Sequence, residues 1–190
     1  MDLPALTTQR LVIRPLVMED LDAVEKIQGE PEATRSERQR WLQWTTLSYG
    51  ELARLHQPPY GDRGIALRTT GVLVGLCGFV PLLDVYGQLP ALRSTSSMGL
   101  ASTEFGLYWA VASAHRRHGY ASEGARALID YAFGRLRLER IIATTDHENV
   151  ASIGVMQKLG MRIERNPFPE PPWLQVVGLL WHPSLRAVPV

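Results

Sequence analysis

The chain has 190 residues, 45% hydrophobic and 21% charged, which excludes a disordered tail, a collagen-like repeat and a coiled-coil rod. Its 20 basic and 19 acidic residues leave a net charge of +1, without the concentrated basic excess that a general nucleic-acid binder needs. The lone cysteine, Cys77, excludes an internal disulfide and a multi-thiolate metal site, and a reduced, cytoplasmic setting is expected. The longest uncharged apolar run, residues 72–83, is broken by Gly75, Gly78 and Pro81 and is too short for a bilayer. Residues 1–4, Met-Asp-Leu-Pro, show neither the basic start nor the apolar core of a signal peptide. Neither a nucleic-acid nor a membrane partner is expected.

Residues 11–14, Leu-Val-Ile-Arg, alternate and stop at Pro15, the pattern of a short edge strand. Residues 18–28 read as a helix, with Leu21, Val24 and Ile27 recurring at threes and Gly29 at its C-terminal cap. Ser36 to Gln39 has capping-box spacing and opens a second helix reaching about Leu55. Its expected inner face is Trp41, Trp44, Thr45, Leu52 and Leu55. A strand at 65–68 leads through Thr69-Thr70-Gly71 into another at 72–80. Residues 81–101 are rich in Ser, Gly and Pro and read as a long loop. A strand follows at 103–111. The strongest helix, 121–136, places Ala125, Leu128, Ile129, Ala132, Phe133 and Leu136 at i, i+3, i+4 spacing. A strand at 140–144, a helix at 151–159 closed by Gly160, a strand at 161–165, a Pro-rich loop at 166–172 and a strand at 176–181 complete the chain. Meander-like strands followed by strand–helix alternation predict a mixed α/β sheet flanked by helices, in a single domain spanning 1–190.

The segment that carries chemistry joins the strand at 103–111 to the strongest helix. Residues 115–122 read His-Arg-Arg-His-Gly-Tyr-Ala-Ser. The first amides of a helix have no internal partner, and the helix dipole adds positive charge there. Gly119 lets the main chain approach a phosphate, and Arg116 and Arg117 add charged donors. A P-loop fails, because Gly124 is followed by Ala125-Arg126 rather than Lys and Ser or Thr. A relaxed dinucleotide fingerprint matches Gly119, Ala121 and Gly124. However, seven residues separate Val111 from Gly119, and Glu139 lies at the wrong end of the next strand. The pattern Arg/Gln-x-x-Gly-x-Gly/Ala is met by Arg116, Gly119 and Ala121.

At these residues the chain resembles the GCN5-related N-acetyltransferases, and within them the branch similar to RimJ and RimL. The resemblance also takes in Thr8-Gln9-Arg10-Leu11-Val12-Ile13-Arg14-Pro15, Glu19-Asp20-Leu21, Glu104-Phe105-Gly106-Leu107-Tyr108-Trp109, Asn149-Val150-Ala151-Ser152 and Lys158-Leu159-Gly160-Met161. It implies a mostly antiparallel sheet in which two central parallel strands splay apart to admit acetyl-CoA. It places the pyrophosphate on Arg116, Arg117, His118, Gly119, Tyr120, Ala121 and Ser122. Trp109, Ala110 and Val111 would offer main-chain groups to the pantetheine arm, with Asn149 on its other side. Ser152 would protonate the leaving thiolate, and Glu104 matches the position of the amine's base. No metal is implied, and such domains often pair, which makes a homodimer an expectation. The implied reaction is acetyl transfer to a primary amine, either a protein N-terminal α-amine or a small-molecule amine. The alternative is a non-catalytic acyl-CoA sensor on the same fold.

The chemistry sets its own demands. A lysine amine is neutral in only roughly one molecule in a few thousand at pH 7, an α-amine in about one in ten. An α-amino acceptor therefore needs a strong base least. A main-chain amide suffices to polarise the thioester carbonyl. Other features have plainer readings. His115 and His118 have no third ligand nearby in sequence. Cys77 reads as buried and inert, and His147 as a solvent-facing loop residue. Trp41, Trp44 and Tyr49 read as core or groove wall, and Arg35, Arg38 and Arg40 as a solvated helix face. Gly124 costs helix stability, up to about 1 kcal/mol.

Overall fold

In the computed structural model, which describes residues 3–29, 33–93 and 100–185, the strands form one mixed sheet. Their order across it is β1 (Leu6–Thr7), β2 (Leu11–Arg14), β3 (Gly61–Leu67), β4 (Leu73–Asp84), β5 (Ser102–Val111), β6 (Arg140–Thr145), β8 (Val176–Trp181) and β7 (Arg162–Arg165). β1 with β2, β2 with β3, β3 with β4, β6 with β8, and β7 with β8 pair antiparallel. β5 and β6 run parallel, with Gly106 opposite Ile142. The helices are α1 (Leu21–Gln28), α2 (Arg35–Arg54), α3 (Tyr120–Tyr131) and α4 (Val150–Lys158). This is the α/β class the sequence predicts. Among the described residues no helix is long and apolar enough to cross a membrane.

By contact density the chain forms two compact units, Met1–Phe79 with Tyr108–Tyr131, and Val80–Leu107 with Ala132–Val190. The first unit is built on Leu16, Val24, Ile27, Leu42, Leu73 and Leu76, with Trp41, Tyr108 and Ala110 packed against them. Arg14 holds Asp20 through two hydrogen bonds of 2.7 and 2.8 Å, and the Val17 amide donates to the same carboxylate at 2.9 Å. Burial works to raise the Asp20 carboxyl, but those donors hold it below the ordinary carboxylate value. The Tyr49 hydroxyl accepts from the Leu16 amide and donates to the Asp62 carbonyl, tying α2 to β3.

Several details of the first unit differ from the sequence reading. β2 is not an edge strand, because the two-residue β1 pairs along it; a two-residue strand is too short to show a period. α2 is capped by Thr34 rather than Ser36. The Glu37 amide donates to the Thr34 hydroxyl at 3.3 Å, and the Thr34 amide to the Glu37 carboxylate at 2.7 Å. Both Thr34-x-x-Glu37 and Ser36-x-x-Gln39 satisfy the spacing. Glu37 is preferred because its charge suits a helix N-terminus and accepts a stronger bond. The buried side of α2 is Arg38, Leu42, Thr45 and Leu52. Trp44 and Leu55 face solvent at 60% and 54% exposure. Arg38 is not a solvated charge: it donates to the Gln28 side chain and the Gly29 carbonyl at the end of α1. Arg35 does sit at the surface, paired with Asp22 and Glu25.

The second unit has its own core of Tyr86, Leu89, Ile142, Leu174, Val177 and Leu179. Part of the expected loop at 81–101 is therefore structure. β4 continues to Asp84, a helical turn covers Tyr86–Gln88, and Tyr86 and Leu89 are buried. Pro81 lies past Phe79, the last β4 residue paired to β3, so on that side no ladder bond is lost. Residues 94–99 lie outside the described chain. In the Pro-rich segment after β7, Leu174 is fully buried, and Asn166 donates to Gln88 at 2.7 Å.

Candidate active site

The turn into α3 belongs to the first unit. Arg117 and Gly119 both adopt left-handed backbone, at φ 64° and 79°. For Gly119 this is free; for Arg117 it costs on the order of 1 kcal/mol and must be held by its surroundings. The first helical bond runs from the Glu123 amide to the Gly119 carbonyl at 3.0 Å. The amides of residues 117–122 donate to no acceptor among the described residues. Such a run of free N–H groups at a helix N-terminus attracts anions. Arg116, Arg117 and His118 are exposed around it, with Gly119, Tyr120 and Ala121 partly buried. The Arg116 Nε reaches the Val111 carbonyl at 3.3 Å. His118 Nδ1 lies 2.8 Å from the Arg116 carbonyl, and its ring stacks on Tyr120 at 5.4 Å. Ser122 is buried and its hydroxyl donates to the Gly119 carbonyl at 2.9 Å, so of its donors only the amide remains for a ligand.

Upstream of the turn, Trp109, Ala110 and Val111 close β5, all partly buried. Gly75 of β4 lets the chain pass close beneath: a Cβ there would sit 2.6 Å from the Ala110 carbonyl oxygen. Gly124, charged above with a helix penalty, is buried, and a Cβ there would press on Ile13 and Ile65 at 3.2 and 3.3 Å. The glycine therefore has a packing reason. Cys77 is fully buried, and burial pushes its thiol well up. A residue the sequence reading missed is Asp62 of β3. Burial pushes its carboxyl up to about 6; burial also pushes the Tyr108 hydroxyl of β5 up to about 12, with the Asp62 charge adding to it. Nothing in the sequence marks it, because its environment comes from strands distant in sequence.

The second unit carries the other residues named from sequence. Glu104 is buried at 8% exposure rather than solvated at a rim. Both its oxygens accept from Arg140 of β6, one from Nε at 2.8 Å and the other from Nη2. Both oxygens are thus committed to one guanidinium. Asn149 caps α4: its Oδ1 accepts from the Ser152 amide at 3.1 Å, and its own amide donates to Asp146 at 2.8 Å. Its side-chain NH2 is left to donate outward. Ser152 lies half-buried in the first turn of α4. His147 is exposed and takes a 2.9 Å contact from Arg165. No group of three or more His, Cys, Asp or Glu among the described residues is placed to hold a metal.

A sequence model described as an acetyltransferase (GNAT) domain matches residues 10–162. The uncharacterised N-acetyltransferase YoaA of Bacillus subtilis (strain 168) is 28% identical over 165 residues, covering 85% of this chain and 84% of that protein. YnaD, another uncharacterised N-acetyltransferase of that organism, is 46% identical over 56 residues; this match spans 30% of the chain and 33% of YnaD's length. The solved structure of an acetyltransferase from Agrobacterium tumefaciens strain C58 superposes with a TM-score of 0.66 at 23% identity, over 95% of each chain. That of the ribosomal-protein-S5-alanine acetyltransferase from Vibrio fischeri gives 0.62 at 11% identity, over 95% of this chain and 97% of that one. The structures speak for the fold, and the sequence match for descent: the chain belongs to the GNAT acetyltransferase family, whose members are acetyl-CoA-dependent acyltransferases.

Proposed function

We propose that the chain, acting as a single domain over 1–190 in the cytoplasm, moves an acetyl group from acetyl-CoA directly to a primary amine in a ternary complex. The acceptor is a protein N-terminal α-amine, as the likeness to the RimJ and RimL branch suggests, or a small-molecule amine. The observation that carries this reading is the run of amides from 117 to 122 with no acceptor among the described residues. Those amides, with Arg116 and Arg117, suit a diphosphate. Main-chain groups of Trp109, Ala110 and Val111, and the Asn149 side-chain NH2, hold the pantetheine arm.

The amine nitrogen attacks the thioester carbonyl carbon. The resulting oxyanion accepts from a main-chain amide of β5. Collapse breaks the C–S bond, and the Ser152 hydroxyl gives its proton to the departing thiolate and regains one from water. The amine's own proton leaves to solvent, because Glu104 is committed to Arg140. Glu104 then ties β5 to β6 through Arg140 rather than serving as a direct base. This favours an α-amine over a lysine side chain, since about one α-amine in ten is already neutral at pH 7.

The test is thiol release from acetyl-CoA at pH 7 with N-terminal peptides, free amino acids, polyamines and lysine side-chain analogues. Release with α-amines above the lysine analogues is expected. Binding of CoA with no release on any amine would turn the reading toward a non-catalytic sensor. No binding of CoA at all would end it.

A further inference from the structure

We infer that Arg10, the residue before β2, is a positioning residue that braces the coenzyme-binding turn and neutralises Glu123 behind it. The inference rests on the diphosphate placement proposed above. Glu123 lies in the first turn of α3, the helix whose N-terminal amides are offered to the anion. Left alone, its carboxylate would repel a diphosphate bound one turn away. It is not alone. Arg10 donates from Nε to Glu123 Oε2 at 2.7 Å, and Nη2 lies 2.6 Å from the same oxygen. The Arg10 amide and the Thr8 hydroxyl both donate to Oε1, at 3.0 and 2.6 Å. Burial works to raise this carboxyl, but the Thr8 and Arg10 donors outweigh it and hold Glu123 below its ordinary value.

The same guanidinium reaches the turn itself. Its Nη1 donates to the His118 carbonyl at 3.0 Å, and its carbon lies 5.0 Å from the centre of the Tyr120 ring. One side chain therefore fixes the carbonyl between the two left-handed residues, Arg117 and Gly119, and the ring that opens α3. A main-chain cradle binds well only when its amides converge before the ligand arrives. Arg10 supplies that order, and its planar fork does so where a lysine ammonium would not.

The experiment is calorimetric titration of CoA into the wild type, Arg10→Met, Arg10→Lys, Glu123→Gln, the Arg10→Met/Glu123→Gln double variant and Gly119→Glu, with a melting curve for each. Arg10→Met is expected to weaken CoA roughly tenfold, about 1.4 kcal/mol, with Arg10→Lys between it and the wild type. The double variant is expected to regain part of the affinity, because the unneutralised carboxylate is gone; a purely structural role gives no such rescue. CoA binding by Arg10→Met within twofold of the wild type, while Gly119→Glu loses binding, would overturn the brace and leave the cradle standing. Wild-type binding by Gly119→Glu would instead overturn the cradle. Should Arg10→Met not fold, Arg10→Lys decides in its place: affinity within twofold of the wild type refutes the brace.

Discussion

The raised carboxyl of Asp62 ties stability to pH. In the folded chain it keeps its proton up to about 6, whereas an unfolded aspartate releases it near 4. Its contribution is therefore intact below about 4 and is lost as pH rises through about 6, at most about 3 kcal/mol. Asp62→Asn removes the buried charge. It should melt higher than the wild type at pH 8 and at the same temperature at pH 4; an equal difference at both would contradict the burial argument. Ser152 offers a cleaner test of chemistry. The cap bond of α4 uses its amide, not its hydroxyl, so Ser152→Ala keeps the helix. Turnover should fall on the order of 100-fold while CoA affinity holds; unchanged turnover would remove the hydroxyl from the mechanism. At this scale the turn into α3 at residues 115–122 was legible, because a left-handed turn before a helix leaves a local glycine. The partner of Glu104 was not legible. Arg140 lies 36 positions away, and only strand pairing brings the two together.

Among the elements, periodicity found the helices and most of the strands, and missed where the signal was short or shared. β1 has two residues, and the apolar positions of the segment after β4 are diluted by Gly, Gln and Pro. The start of α2 was ambiguous by two residues because two overlapping boxes satisfy the same spacing. The structure assigns the cap to Thr34. Thr34→Ala should therefore lower stability by about 1 kcal/mol in chemical denaturation, and Ser36→Ala by little. The reverse order would restore Ser36 as the cap. Trp44 shows the other weakness of a pattern read alone: an apolar residue near the buried stripe of a long helix can still face water.

For the whole molecule, the mixed sheet and the family follow from many weak segments in the right order, which is why they were legible without any single decisive motif. The acceptor is not legible in this way, because no motif of fixed spacing in the sequence marks it. The claim on which the account turns is that the free amides at the start of α3 take the coenzyme's diphosphate. A crystal structure of the protein grown with CoA tests it most directly. The account predicts diphosphate oxygens within hydrogen-bond distance of the amides of residues 117–122. A diphosphate bound elsewhere, with those amides turned to the protein's own acceptors, would contradict it.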